Sequence, residues 1–194
     1  MRGLEPGGVV FPGRLGGNGV GLRSIMRLQV AKVPQLAREI VDALLAEGDI
    51  EAPSPDEVRS DVESVLAQYA RDEADVTERA RELQAKRGLG PGELGRLRHL
   101  VAEEKHIRIG DEAIDYLLDQ LVEMLMHSSN VEEVWSEDVD LRRHMREPLR
   151  RQDQLEEQLQ AEVRGKLRHV QEGTAVWEVE YRRVMEDIKR RKGL

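Results

Sequence analysis

Cysteine is missing from the sequence, phenylalanine occurs once, and no apolar run is long. Each shortage removes a class of protein. Without cysteine there is no disulfide framework, no thiolate metal site and no cysteine nucleophile, which agrees with a reducing compartment. No stretch approaches the roughly 20 apolar residues that cross a bilayer, and the first residues lack the apolar region of a secretory signal. A cytoplasmic protein without membrane association is expected. Because Phe11, the one phenylalanine, stands in a glycine-rich leader, the core must be built from Leu, Val, Ile, Ala and Met. Tyr69, Tyr116, Trp135, Trp177 and Tyr181 are its larger anchors.

What is present points to helices. Charged residues are 35% of the 194 and hydrophobic ones 39%, a mixture that suits long amphipathic helices better than a sandwich or barrel. Residues 1–25 hold eight glycines and two prolines without periodicity, so a disordered leader is expected; Met26-Arg27-Leu28 offers a second start. Pro34 suits a first helical turn, and Leu36, Ile40, Val41, Leu44 and Leu45 share a face up to Gly48. Ser54-Pro55-Asp56-Glu57 reads as a capping box. It opens a long helix carrying Val62, Tyr69, Val76 and Leu83 at intervals of seven as far as Gly88. Within it, Arg71 to Asp75 is polar on every side, a place for a bend.

Gly88-Leu89-Gly90-Pro91-Gly92 is a breaker, followed by a short helix with Leu94, Leu97 and Val101. The alternation from His106 to Gly110 is too brief for a sheet. Asp111 should cap a strongly apolar helix from Ile114 to Leu125, and Leu121 is expected nearer the molecular centre than Ile40. Ser136 begins a second long helix that reads through Val170, with a kink at Pro148. Gly173 should end it and Thr174 cap a last helix, whose Trp177, Tyr181, Val184 and Ile188 share a face. The expected fold is all-α.

The order of helices repeats. Ile40, Val41, Leu44, Leu45 and Ile50 match Leu121, Val122, Leu125, Met126 and Val131 at an offset of 81, and Asp56-Glu57-Val58 matches Glu137-Asp138-Val139. At 87, Leu94, Leu97 and Val101 match Tyr181, Val184 and Ile188. Two pseudo-repeated helical halves are expected, residues 26–105 and 106–194. Through Met26-Arg27-Leu28, Lys32-Val33-Pro34, Gly48 to Glu51, Ile109 to Ile114, Asn130 to Val134, and Gly173-Thr174 with Trp177, Glu180 and Tyr181, the chain resembles a bacterial family known as domain of unknown function 507. The resemblance covers residues 26–194 and implies an all-helical fold. It brings no activity, cofactor or catalytic residue with it.

Chemistry is harder to find. Glu103 and His106 have the Glu-x-x-His spacing of di-iron bundles, but such sites need a second pair. Glu123 with His127 and Asp140 with His144 read as surface ion pairs. Gly88, Gly90 and Gly92 lack the lysine of a P-loop, and no serine lies in a nucleophile elbow. No catalytic, cofactor-binding or metal residue is singled out. Charge is more informative: residues 26–141 hold 13 Lys or Arg against 27 Asp or Glu, and residues 142–194 hold 14 against 10. Arg142, Arg143, Arg146, Arg150 and Arg151, with Lys189, Arg190, Arg191 and Lys192, form a candidate surface for an anionic partner, unless they dock within the chain. The leading expectation is a non-enzymatic helical interaction or scaffold protein meeting a protein, or a second copy, on its long helices. The alternative is an RNA- or ribosome-associated protein using the basic face of residues 142–192.

Overall fold

A computed structural model describes residues 28–172 and 174–193. The leader, the Met26 start and the stop at Gly173 lie outside the described residues. Within them the fold is all-α, with six α-helices: α1 (Val33–Ala46), α2 (Pro55–Arg87), α3 (Leu94–Glu104), α4 (Ala113–His127), α5 (Asp138–Lys166) and α6 (Ala175–Lys192). Strand is confined to β1 (Ile50–Glu51) and β2 (Glu133–Val134), antiparallel with Ile50 opposite Val134.

The helices stop where the backbone chemistry allows. Gly48 and Gly88 take the left-handed conformation, at φ 72° and 61°, beyond α1 and α2. The Thr174 side chain accepts the Trp177 N–H at 3.2 Å and caps α6 as expected. Three local expectations fail. Ser54 sits at the start of α2 but makes no side-chain cap bond; its carbonyl accepts from Glu57 N–H at 3.1 Å instead. Asp111 lies in a 3-10 turn, Gly110–Glu112, rather than capping α4. α5 ends at Lys166, short of Val170: Leu167 and Val170 continue the apolar spacing but reach α6 from a turn closed by Val170 N–H to Leu167 O at 2.9 Å.

Both doubtful stretches of the long helices are helical throughout. α2 runs 33 residues through Arg71 to Asp75, and α5 runs 29 with Pro148 inside it. At 1.5 Å per residue they are about 50 Å and 43 Å long.

Each short helix, α1 and α4, packs against both long ones, α2 and α5. The central core therefore draws on both halves of the sequence, with Ile40 and Leu44, Val62 and Leu66, Leu118 and Leu121, Met145 and Leu149 all enclosed. Ile40 and Leu121 are equally and fully buried, so the expected order between them is not seen. Beyond this body each long helix continues into an arm. The end of α2 packs with α3 around Val76, Ala80, Leu97 and Val101, and the end of α5 packs with α6 around Leu159, Val163, Met185 and Ile188.

Burial corrects the register of the repeat. At an offset of 81, Val58 would correspond to Val139, yet Val58 is fully buried and Val139 is 71% exposed. An offset of 83 aligns the long helices instead, pairing Val58 with Leu141, Val62 with Met145, Leu66 with Leu149, Val76 with Leu159 and Ala80 with Val163, all buried. The short helices keep the offset of 81, since Leu36, Ala37, Ile40 and Leu44 match the equally enclosed Leu117, Leu118, Leu121 and Leu125.

Candidate functional site

The cations of α5 are largely occupied within the chain. Arg142 bonds Asp138 and, across to α4, Asp119, both at 2.6 Å. Those two carboxylates hold its guanidinium above its ordinary pKa. Its counterpart at offset 83, Arg59, does the same in the first half, bonding Asp56 at 2.5 Å and Asp42 of α1 at 2.6 Å. Two equivalent arginines tying each long helix to its own short helix is a structural arrangement. Arg146 reaches Asp115 of α4 at 2.7 Å, Arg143 pairs with Asp140 at 2.8 Å, and Arg151 stands 3.5 Å from Glu39 of α1. Arg150 is exposed, and among the described residues it makes no ion pair. At the C-terminus Arg191 and Lys192 share Glu162, at 3.6 and 3.0 Å, and Arg190 lies 3.6 Å from Asp187. The Lys192 hydrogen bond, first among several cations, lowers the Glu162 pKa.

The histidine pairs are rearranged. His106 lies beyond the end of α3 with φ 57°, so it shares no helix face with Glu103. His127 Nδ1 meets the backbone oxygen of Glu123 at 2.8 Å rather than its carboxylate. His144 Nδ1 bonds Asp49 Oδ2 at 2.6 Å, not Asp140, and Asp49 is almost fully buried. The equivalent positions in the other half, Asn130 and Asp61, are bonded to each other at 3.0 Å. Both pairs join the loop after a short helix to the opposite long helix.

Two buried carboxylates form the part of the site that sequence reasoning missed. Glu73 of α2 and Glu156 of α5, related by the offset of 83, are 5% and 4% exposed. Arg98 of α3, itself 7% exposed, bonds Glu73 at 2.8 Å. Glu156 Oε2 accepts from Gln29 at 2.6 Å, and Lys189 donates to the same glutamine's oxygen, so that member of the basic cluster faces inward. Around Glu73, Asp75 bonds Lys105, which is also 4.0 Å from Asp72. Thus the stretch polar on every side packs α3 on one flank. Burial, and then the Glu73 charge, pushes the Tyr69 phenol well above its ordinary pKa, and its hydroxyl donates to Arg108 O at 3.2 Å. A signal for both glutamates was in the sequence. Val62, Leu66, Tyr69, Glu73, Val76 and Ala80 step by alternating fours and threes, as do Met145, Leu149, Gln152, Glu156, Leu159 and Val163. A glutamate in the same slot of two such stripes marks a buried carboxylate.

The arms are joined by Arg81 of α2, which donates to both oxygens of Glu178 of α6 at 2.9 Å. Beside this pair lies a cleft of about 310 Å³ bounded by α2, α3, α5 and α6. Trp177 and Tyr181 line it, their rings 4.7 Å apart and tilted by 30°.

At the other end of α5 stands a different feature. Trp135 is 67% exposed although its backbone N–H is fixed to Asp49 O at 2.8 Å, and Val139 four residues on is 71% exposed.

Fold and site together define a class: an all-helical protein in which two short helices are shared by two long ones, each long helix with a buried glutamate at the root of an arm. The chain belongs to the family described as Protein of unknown function (DUF507), whose model matches residues 26–194. No curated protein matches it. Among the described residues, no helix is long and apolar enough to cross a membrane.

Proposed function

We propose that the protein is a non-enzymatic helical binding protein that seats a protein partner on the end of the molecule carrying Trp135 and Val139. The observation that carries this reading is an indole 67% exposed on a backbone held by a 2.8 Å hydrogen bond. An aromatic side chain has few rotatable bonds, so it loses little entropy on binding, and it buries about 150–250 Å². The fold does not demand it. At the offset of 83 the counterparts of Trp135 and Val139 are Ala52 and Asp56, so one half is apolar where the other is small or charged. Ion pairs within the chain engage several of the basic residues, which leaves less unmatched positive charge for a nucleic-acid surface.

A photo-reactive amino acid placed at Val139 tests the proposal in the native cell. A discrete adduct with another protein, absent when the probe replaces exposed Glu157 and lost on adding Trp135→Ser, is expected. Identical adduct patterns from both positions, or none from Val139, would overturn the reading.

A further inference from the structure

The cleft between the arms draws matching positions from both halves. Arg81 and Arg164 correspond at the offset of 83, Leu94 and Tyr181 at 87, and all four line it together with Gln160 and Trp177. Two of these groups hold enclosed nitrogens that make no hydrogen bond among the described residues. Gln160 is 5% exposed, and its amide nitrogen has no hydrogen-bond partner among the described residues. Arg164 Nε is enclosed and, among the described residues, makes an ion pair with Glu172 at 3.5 Å but no hydrogen bond. Enclosed donors without acceptors are costly and rare in folded proteins, and two on one wall call for an acceptor that enters from outside. Both arginines have a carboxylate beside them, Arg81 hydrogen-bonded to both oxygens of Glu178 and Arg164 ion-paired with Glu172 at 3.5 Å but without a hydrogen bond from its Nε. The cleft lining also offers apolar faces, Leu94 and the Trp177–Tyr181 stack. A volume of 310 Å³ lies at the small end of ordinary ligand pockets.

We propose that this cleft binds a small organic anion with an apolar or aromatic body, its charged head on the Gln160 amide and the Arg164 guanidinium and its body against Trp177. Binding here is separate from docking at Trp135 and stands without it. Because ligand contacts come from both arms, occupation would also add to the Arg81–Glu178 bridge between them.

Calorimetric titration of the full chain with naphthalene-2-sulfonate tests the site, with naphthalen-2-ylmethylammonium as the cation of the same shape and inorganic phosphate as the anion without a body. Trp177 fluorescence in the Trp135→Phe protein gives a local readout. The expected result is saturable binding of the sulfonate that perturbs Trp177, with both comparison compounds weaker by about tenfold or more, the worth of a charge-assisted hydrogen bond. Gln160→Leu and Arg164→Gln, at unchanged helix content, should each weaken the sulfonate by a similar factor, and Arg164→Lys by less. Equal binding of the cation, equal binding of phosphate, or affinity unmoved by Gln160→Leu would overturn the proposal. The wild-type comparison among the three compounds decides the matter even where Arg164→Gln fails to fold.

Discussion

Glu73 and Arg98 are held together where water cannot solvate either. Such a pair contributes little net stability, because desolvating both charges offsets most of their attraction, yet losing one partner leaves a charge in a low-dielectric site. Arg98→Met should therefore cost about 3 to 5 kcal/mol, whereas Glu73→Leu with Arg98→Met should recover most of that loss. Denaturant unfolding of the single and double variants measures the difference; a double variant as unstable as the sum of its parts would contradict it. Asp75 offers a pH test. Its hydrogen bond from Lys105 holds the carboxyl below the ordinary aspartate range. Because the folded value lies below the unfolded one, the stabilisation is complete above the ordinary range and is lost as pH falls through the folded value. An NMR titration of the Asp75 carboxyl should show the depressed midpoint and its upward return in Lys105→Ala. The slot of Glu73 in its apolar stripe was legible in the sequence, but its cation was not. A glutamate among charged neighbours reads as solvated until its cation is known, and Arg98 lies 25 residues along the chain, on another helix.

Helices read well from sequence where an apolar stripe and a stop signal coincide. Gly48 and Gly88 both mark helix ends, and both adopt the left-handed conformation that makes them good stops. The end of α5 read poorly because its stripe outlasts its helix: Leu167 belongs to the same small core as Val163 but is reached by a turn. Pro148 does not interrupt α5. It is buried within α5, on the helix that faces α1, where packing holds the segment helical despite one missing hydrogen bond. The two short helices supply a matched experiment. Ile40 and Leu121 are both wholly enclosed in the central core, so truncation of either to alanine should cost about 2 to 5 kcal/mol, with no large gap between them. A loss near zero at either position, measured by urea unfolding with two probes, would show that the corresponding face is misplaced.

At the scale of the molecule, apolar burial is uneven. The central body encloses the largest core, and each arm has a smaller one of its own. Local opening should follow that order. Hydrogen exchange is expected to find amides of α6 and α3 exchanging at lower free energy than those of α1 and α4. Uniform protection across all six helices would show that the arms and body unfold as one unit. The duplication was legible in sequence, but its register was not, because helical periodicity matches itself at several neighbouring offsets. Only burial distinguishes Leu141 from Val139 as the partner of Val58.

The sharing of each short helix between both long ones carries a consequence for ancestry. A single repeat, α1 with α2 and α3, would leave bare the side of α1 that α5 covers and the side of α2 that α4 covers. Such a unit could hide those surfaces only by clasping another like itself, so a forerunner one repeat long would have lived as an obligate twin. Joining two such units in one chain turns an encounter between molecules into a fold within one, and it lets one side differ from the other, as Trp135 differs from Ala52 and Gln160 from Thr77.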